Sequence, residues 1–485
     1  MRFLFRHLPR RGFQAPRDPK TATKRASVAF AGAAVIPMAA YSTNVTKPSS
    51  LSPTPEDVDA KAHHVKNRRG ETTKFTNPHA SCNEPSPFQM FRWMIEHRLS
   101  GGRMLADTTG MQLNVVKPEL LPSRTGSDRL RATWLGHACY YVEFPSGLRV
   151  LFDPVFEDCC APFQWLPPKR FTPPPCDVSA LPHIDAVVVS HSHYDHLSYP
   201  TVKSIQNSHP DAHFFVGLGL AKWFHQSGIE NVTEMDWWQN VELTLTPKSS
   251  SPVPNTDEKA KGAATPAAPS PSPATASSTT PPPAPITARF SCLPCQHRSG
   301  RGILDQMSTL WCSWAVSSGL TPETSKSVWF GGDTGYRSVP KVPEGADDYG
   351  PEYAALPVSP QFGQIGTLRG PFDLGLIPIG AYAPRHIFSH MHCNPHDAVE
   401  IFRDTKCKRA MAIHHGTWAL TAEDVKEPPR LLREALKRRG IAEEGVFDTC
   451  DPGRRGSFER RAMVDGAKLI RIGHCTYVRY VFSPA

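Results

Sequence analysis

The fold is indicated by one stretch of sequence, Ile184-Asp-Ala-Val-Val-Val-Ser-His-Ser-His-Tyr-Asp-His-Leu197. Its first half is a mostly apolar run, which predicts a strand that is buried on both faces. Its second half reads His-x-His-x-Asp-His and contains four potential metal ligands, His191, His193, Asp195 and His196. Imidazole and carboxylate groups are ligands that zinc prefers in proteins. The stretch therefore predicts a metal site in the loop at the end of a buried strand.

One loop cannot complete the ligand shells of two metal ions, so further ligands must come from other parts of the chain. Three candidates stand where predicted strands end, namely His297, Asp333 and His414. The glycines on either side of Asp333 also allow a close approach of the backbone. Any one of these residues taken alone would more simply be structural. Their shared position at strand ends makes them candidate ligands for the His-rich loop.

Predicted strands and helices alternate along most of the chain, which favours an α/β class with mixed layers. The predicted strands cover residues 132–134, 139–144, 149–152, 184–189, 214–216, 241–245, 328–330, 374–378 and 409–413. The predicted helices cover residues 87–99, 201–207, 395–404 and 429–439.

One internal segment breaks this pattern. Residues 249–288 consist mainly of Pro, Ala, Ser and Thr, and they include ten of the 49 prolines but no aromatic residue. Such a composition cannot bury enough apolar surface to offset the entropy lost on ordering. Because strand-like sequence resumes directly afterwards, we expect a disordered insertion inside a hydrolase domain that spans residues 73–485.

The first 72 residues differ in composition from this domain. Residues 1–25 contain eight Arg or Lys and one acid, an Arg-rich and acid-poor pattern typical of mitochondrial transit peptides. A disordered basic tail is the alternative, and the sequence leaves both open. Residues 42–72 are polar and predict a linker, so 1–72 is expected to be a targeting segment and linker.

Twelve cysteines in 485 residues are too few for a disulfide scaffold and indicate an intracellular compartment.

Several motifs occur in one order around the His-rich loop. They are Trp134-Leu-Gly-His-Ala138, Phe152-Asp-Pro154, Pro168-Lys-Arg-Phe171, Asp236-Trp-Trp238, Gly332-Asp-Thr-Gly-Tyr336, Ile377-Pro-Ile-Gly-Ala-Tyr382 and Met411-Ala-Ile-His-His-Gly-Thr417. His-x-His-x-Asp-His after an apolar strand resembles the metallo-β-lactamase superfamily. The complete ordered set resembles the N-acylphosphatidylethanolamine-hydrolysing phospholipase D family, from about residue 74 to residue 436 apart from the insertion.

The resemblance implies an αβ/βα sandwich of two mixed β-sheets flanked by helices, with two zinc ions at one edge of the sheets. The implied ligands are His191, His193 and His297 for one zinc ion, Asp195, His196 and His414 for the other, and Asp333 bridging both. The implied reaction hydrolyses N-acylphosphatidylethanolamine to N-acylethanolamine and phosphatidic acid, as a hydroxide that bridges the two metals attacks phosphorus.

Two further residues are expected at the substrate. His392 matches a family histidine that lies close to the reacting phosphate, and it is a candidate proton donor to the leaving group. The neighbouring His390 and His396 leave this assignment open. Tyr194, inside the His-rich loop, is a second candidate substrate-binding residue.

The chain also departs from the family pattern at three positions. Arg298 follows His297 where the family has an aromatic residue, His415 replaces a tryptophan, and Met391 replaces a polar residue. The seven implied ligands are all present, which argues against a non-enzymatic binding module. The departures keep an alternative open, a hydrolase of the same fold that acts on a soluble phosphodiester, lactone or thioester.

A diacyl phospholipid substrate would require peripheral membrane association. The segment 87–99 carries an apolar stripe at helical spacing, and the segment 163–171 mixes aromatic with basic residues, as an interfacial anchor does. The helix could equally pack against the core. A net charge of +9 suits an anionic surface as partner. No apolar run approaches the roughly 20 residues of a spanning helix, which excludes a polytopic membrane protein.

Other partner classes are addressed less directly by the sequence. No Gly-rich phosphate loop of the Walker type and no basic-aromatic nucleic-acid motif occurs, so nucleic acid is not expected as a partner. The family resemblance suggests a homodimer.

Overall fold

The computed structural model describes residues 41–50, 52–248, 283–319, 321, 324–343 and 345–458. These residues form two large mixed β-sheets that pack face to face and carry helices on their outer faces. The predicted α/β class and the sandwich of two mixed sheets are confirmed. In this part of the chain, no helix is both long enough and apolar enough to cross a bilayer.

The first sheet has eight strands. In spatial order they are β1 (Tyr41–Thr46), β10 (Asn240–Pro247), β11 (Ile286–Leu293), β12 (Ser313–Ser318), β13 (Lys326–Phe330), β14 (Leu374–Pro378), β15 (Ala410–Ile413) and β16 (Phe447–Asp448). Neighbours are antiparallel from β1 to β13 and parallel from β13 to β16.

The second sheet has seven strands and the same division into two halves. In spatial order they are β17 (Arg455–Phe458), β4 (Leu130–Gly136), β5 (Cys139–Glu143), β6 (Arg149–Phe152), β7 (Ala186–Val188), β8 (His213–Gly217) and β9 (Val232–Met235). Neighbours are antiparallel from β17 to β6 and parallel from β6 to β9. A separate hairpin joins β2 (His64–Lys66) to β3 (Thr72–Phe75).

Seven helices accompany the sheets in the described ranges. They are α1 (Pro87–Leu99), α2 (Tyr199–Ser208), α3 (Ala221–Gln226), α4 (Gln361–Leu368), α5 (Arg385–Phe388), α6 (Pro395–Asp404) and α7 (Glu427–Arg438). Apolar residues of α2 and α3 pack against the second sheet, whereas those of α4, α6 and α7 join the core of the first sheet.

The core between the sheets is aromatic. The rings of Phe152 and Phe330 lie 5.0 Å apart across the interface. Strand β7 is buried on both faces, because Val188 joins this inter-sheet core while Val187 packs towards the helices. The prediction of a doubly buried strand before the His-rich loop is thus confirmed. The indole of Trp314 also donates a hydrogen bond of 3.2 Å across the sheets to the carbonyl of Val189.

The topology places the ends of several parallel strands at one edge of the sandwich. The His-rich loop follows β7 in the second sheet, while Asp333 follows β13 and His414 follows β15 in the first. Ligand sites of α/β sheets form at the carboxyl ends of parallel strands. Candidate ligands that are far apart in sequence therefore converge between the two sheets.

The predicted linker at residues 42–72 is wrong in part. Tyr41–Thr46 pairs along its full length with β10, and His64–Lys66 pairs with Thr72–Phe75. An edge strand with one face in water needs few apolar residues, and β1 alternates half-buried with exposed positions. The polar composition therefore concealed a strand.

The predicted insertion lies between two neighbouring antiparallel strands. β10 ends at Pro247 and β11 begins at Ile286, so the last three residues of the predicted segment 249–288 belong to a strand. Residues 249–282, and residues 1–40 of the predicted targeting segment, lie outside the described residues. Disorder of the insertion stays a prediction.

Helix α1 has the predicted bounds. Its apolar stripe does not pack against the core, which was one of the two predicted alternatives. The Ser86 hydroxyl accepts from the backbone N–H of Gln89, whose side chain accepts from the Ser86 N–H, and this reciprocal capping box starts the helix. The apolar stripe faces solvent, with Phe88 72% and Leu99 83% exposed. Trp93, off the stripe, contacts Phe388 edge-on at 5.9 Å and attaches the helix to the domain.

Candidate metal centre

Three histidines form the first ligand cluster. His191 and His193 come from the loop after β7, and His297 comes from the loop after β11. His191 Nε2 lies 2.8 Å from His193 Nδ1, which in turn lies 3.3 Å from His297 Nε2. The structure thus brings together the three residues that the family resemblance implied as one ligand set.

The second cluster contains a carboxylate and two imidazoles. Asp195 Oδ2 lies 3.4 Å from His196 Nε2 and 3.5 Å from His414 Nε2. His196 and His414 are fully buried, whereas Asp195 is half-buried. The neighbouring His415 points elsewhere, since its ring stacks on Trp134 at 4.7 Å. His414 is therefore the residue of this pair that faces the centre.

Asp333 lies between the two clusters. Its Oδ2 atom is 3.1 Å from His196 Nε2 and 3.0 Å from His414 Nε2. The same atom is 3.6 Å from His297 Nε2 and 3.9 Å from His191 Nε2. One carboxylate oxygen thus approaches imidazoles of both clusters, as the bridging role implied by the family resemblance requires.

Glycine is needed for this approach. Gly332 has φ +57°, and a Cβ atom at that position would lie 2.6 Å from the Cβ of Ser190. A side chain at residue 332 would therefore push the Asp333 loop away from the His-rich loop.

The outer hydrogen bonds of the histidines orient their inner nitrogens. His297 Nδ1 lies 2.9 Å from the carbonyl oxygen of Met391, and a carbonyl can only accept. Nδ1 of His297 therefore carries the hydrogen, and Nε2 presents a lone pair to the centre. Because Met391 contributes its backbone, the departure from a polar residue at this position does not alter the contact.

Asp153 orients two more histidines. Its Oδ2 atom lies 2.5 Å from His196 Nδ1 and accepts a 2.5 Å hydrogen bond from the Ser190 hydroxyl. The Ser190 oxygen in turn lies 2.9 Å from His191 Nδ1. Both histidines consequently hold their hydrogens on Nδ1 and present Nε2 lone pairs inwards, an arrangement found around metal-ligating histidines.

The buried donor atoms fit divalent metal ions. His196 Nε2, His414 Nε2 and Asp333 Oδ1 make no hydrogen bond within the described structure although they are buried. Leaving such atoms unsatisfied is costly in a folded protein. Imidazole nitrogens and carboxylate oxygens around common points form a ligand set suited to divalent ions, which would satisfy these atoms.

The charges of the centre also favour the binding of divalent metal ions. Burial holds the pKa of His191 well below its usual value, so this ligand is neutral, as metal binding requires. For His414, burial acts in the same direction, but the carboxylates of Asp333 and Asp195 outweigh it and raise the pKa to about 9. The carboxylates therefore create a strongly negative environment, which dications would neutralise.

His392 is the histidine of its segment that reaches the centre. Its Nδ1 lies 4.0 Å from Asp333 Oδ2, and its ring lies 5.0 Å from that of His297. Burial lowers the pKa of His392 to about 3, so the ring is neutral. His396 instead lies beside Tyr349, with the two ring centres 4.8 Å apart and the rings tilted by 38°.

Tyr194 lies at the outer side of the His-rich loop. The Arg301 guanidinium sits 3.8 Å from the centre of its ring, and this arginine also donates to the carbonyls of Ser192 and Leu197 at 2.9 and 2.8 Å. The tyrosine thus helps Arg301 to brace both ends of the loop. A role in substrate binding stays a prediction.

The interpretation of the sequence missed two residues of the centre. Asp153 follows directly after a strand. That position was a usable signal, because Asp333 was identified as a candidate ligand from its position at the end of a strand. His137 has no metal-ligand spacing to reveal it. Its Nε2 atom nevertheless lies 3.0 Å from Asp195 Oδ2, and it shares one potential ligand cluster with Asp195, His196 and His414.

Comparison with known proteins gives a consistent set of relatives. Residues 148–415 match the model of the beta-lactamase superfamily domain. The chain is 31% identical over 392 residues to N-acyl-phosphatidylethanolamine-hydrolyzing phospholipase D 1 of Caenorhabditis elegans, covering 78% of this chain and 91% of that protein. It is 28% identical over 320 residues to the mitochondrial N-acyl-phosphatidylethanolamine-hydrolyzing phospholipase D of Saccharomyces cerevisiae, covering 66% of this chain and 53% of that protein.

Among solved structures, the chain is similar to Igni18, a metallo hydrolase from Ignicoccus hospitalis. The identity is 15%, the TM-score is 0.37, and the match covers 69% of this chain and 100% of that one.

The position of Asp333 predicts a severe defect in Asp333→Asn. The amide keeps the shape of the carboxylate but removes the charge that would help to hold two dications close together. We expect catalytic activity to fall by at least about a thousandfold, roughly 4 kcal/mol of transition-state stabilisation. Elemental analysis of the purified variant should also show less bound metal.

Asp373→Asn is the matched control. Asp373 is half-buried, accepts from Ser327 N at 2.9 Å and pairs with Lys408 at the opposite end of β14. It should keep wild-type metal content and activity. Full metal content and turnover in Asp333→Asn would show that the carboxylate does not bridge the centre.

Proposed function

Because the chain belongs to the beta-lactamase superfamily and, within it, to the family of N-acylphosphatidylethanolamine-hydrolysing phospholipases D, we propose that it is a zinc-dependent phospholipase D acting on N-acylphosphatidylethanolamine. Family membership makes the protein a metal-dependent hydrolase with a divalent metal centre. The observation that carries the proposal further is the Asp333 carboxylate shared by two ligand clusters. Such a paired centre suits hydrolysis of a phosphodiester.

Zinc is proposed from the chemistry of the ligands. Five imidazoles and two carboxylates make up the two clusters and the shared residue, and zinc binds nitrogen together with oxygen ligands in this manner. When bound, paired zinc ions lower the pKa of water to near neutrality and stabilise negative charge on phosphoryl oxygens.

Residues of the chain would have separate roles in the reaction. Asp333 and the outer partner Asp153 hold the ligands in register, so that little reorganisation is needed during the reaction. His392, neutral and buried beside Asp333, would accept the proton that the attacking water loses and pass it to the oxygen of the leaving N-acylethanolamine. Water adds to phosphorus as the bond to this oxygen breaks, which leaves phosphatidic acid.

A bilayer substrate also requires a surface that contacts lipid. Three exposed apolar segments adjoin the loops of the centre. Helix α1 is attached through Trp93 to Phe388, whose carbonyl accepts from the backbone N–H of His392 at 2.8 Å. We propose that its exposed stripe contacts the membrane.

The second segment contains Phe163 and Trp165, whose rings stack 5.6 Å apart, with Trp165 76% exposed. It adjoins the centre through Trp418, which donates to the carbonyl of Asp158 at 2.9 Å and meets the ring of His137 at 4.9 Å. Aromatic side chains of this kind suit the interfacial region of a bilayer.

The third segment is the tip of the loop after His297. Ile303 and Leu304 are 94% and 97% exposed. The loop is held by Asp305, which accepts from the backbone N–H of Gly302 at 2.7 Å, and by the contacts of Arg301 to the His-rich loop. Two apolar side chains fully in water beside a metal centre support the proposed contact with lipid.

The location within the cell is a further part of the proposal. The yeast relative is named as mitochondrial, and residues 1–25 carry the Arg-rich, acid-poor composition of a transit peptide. We propose peripheral association with a mitochondrial membrane.

The proposed reaction predicts specific products. Protein incubated with vesicles that contain N-acylphosphatidylethanolamine should release N-acylethanolamine and phosphatidic acid in equal amounts, as measured by mass spectrometry. Removing metal with a chelator should abolish the release, and zinc should restore it. Turnover of a soluble phosphodiester, lactone or thioester without turnover of the lipid would instead establish the alternative hydrolase.

The lipid-contact proposal predicts a separation of binding from chemistry. The double variant Ile303→Ser, Leu304→Ser removes two apolar side chains whose burial would each contribute about 1.5–3 kcal/mol when complete. Because insertion is partial, we expect vesicle affinity in co-sedimentation to fall by about tenfold, with turnover of a micellar short-chain substrate retained.

Val358→Ser provides the control, since Val358 is another exposed apolar residue and precedes α4. It should bind vesicles like wild type. Unchanged vesicle affinity in the double variant would remove this loop from the proposed membrane surface.

A further inference from the structure

His137, in the turn between β4 and β5, connects parts of the metal centre that belong to opposite sheets. Its Nε2 atom lies 3.0 Å from Asp195 Oδ2 in the loop after β7. Its carbonyl accepts a 3.1 Å hydrogen bond from the backbone N–H of His414 after β15. Its own backbone N–H donates to the Thr417 hydroxyl at 2.6 Å. One residue therefore contacts ligand segments from both sheets.

The backbone of His137 is held in a conformation that side chains rarely adopt. Its φ is +52°, in the left-handed region that favours glycine. The carbonyl also accepts from the Trp134 indole at 2.8 Å, so several hydrogen bonds maintain this conformation. Strained positions of this kind persist where surrounding contacts fix them, and they concentrate at functional sites.

The ring of His137 is enclosed and has one polar contact among the described residues, with Asp195. It is buried between the ring of His414 at 4.2 Å and the ring of Trp418 at 4.9 Å. A carboxylate oxygen only accepts, so Nε2 carries the hydrogen that faces Asp195. Nδ1 has no partner within the described structure. The ring is thus placed to orient the carboxylate rather than to bind a metal through Nε2.

We propose that His137 is a positioning residue that holds the Asp195 carboxylate in register with His414. Hydrogen bonds from outside the ligand set typically change metal affinity by 10- to 100-fold when they are lost. Among the described contacts, His137 makes none with the cluster of His191, His193 and His297. Its loss should therefore weaken metal binding in one half of the centre only.

Two variants separate positioning from the other roles. His137→Phe keeps an aromatic ring but removes the hydrogen that faces Asp195. His137→Gln keeps an amide hydrogen at nearly the position of Nε2. Both retain a Cβ atom, so the backbone strain is matched. His213→Phe is the control, because His213 has one polar ring contact, a 2.7 Å bond from Nε2 to the Thr233 hydroxyl in the neighbouring strand.

The measurement is competition between the full-length protein and a chromophoric zinc chelator, which gives two dissociation constants without any substrate. We expect His137→Phe to raise one zinc dissociation constant by about 10- to 100-fold and to leave the other dissociation constant within threefold of wild type. We expect His137→Gln and His213→Phe to keep both constants within threefold. Cobalt spectra of each protein would show whether one site or both sites change.

The outcomes are decisive even if one variant does not fold. If both zinc dissociation constants of His137→Phe equal those of wild type, the proposal is overturned, and His137 contributes only to packing. Equal loss in His137→Gln and His137→Phe would overturn it in favour of direct ligation. If His137→Phe is insoluble, the His137→Gln result alone separates positioning from ligation. Because the readout is metal affinity, it does not depend on the proposed lipid substrate.

Discussion

The centre depends on one electrostatic constraint, that the Asp333 carboxylate must lie between imidazoles supplied by two separate sheets. Its Oδ2 atom is 3.1 Å from His196 of the second sheet and 3.0 Å from His414 of the first. A negative charge buried among nitrogen lone pairs is costly unless cations join it. The sandwich architecture, the glycine at 332 and the outer carboxylate of Asp153 all serve to hold this arrangement.

The same constraint explains why the site lies where it does. Each sheet changes from antiparallel to parallel pairing, and the parallel halves end at one edge. The loops after β7, β13 and β15 can therefore meet, whereas loops at the opposite strand ends could not contribute. Asp373, at that opposite end of β14, instead makes contacts with Ser327 and Lys408.

The elements predictable from sequence were those whose pattern reflects local burial. The strand before His191 is apolar on both faces, and the helix at 395–404 has both its proline start and its amphipathic pattern. β1 was not predictable, because an edge strand gains its stability from pairing with β10 rather than from its own side chains. The exposure of Phe88 was equally hidden, since helical spacing cannot distinguish a stripe that faces the core from one that faces solvent. In the centre, ligands at strand ends were predictable, but His137 acts through a tertiary contact that no sequence spacing encodes.

Anomalous diffraction at the zinc absorption edge, from crystals of the purified protein, tests whether two metal ions share the Asp333 carboxylate. We expect two anomalous peaks per chain. One should lie among His191, His193 and His297, the other among Asp195, His196 and His414, and both should contact Asp333. A single peak, or two peaks of which only one contacts Asp333, would contradict it.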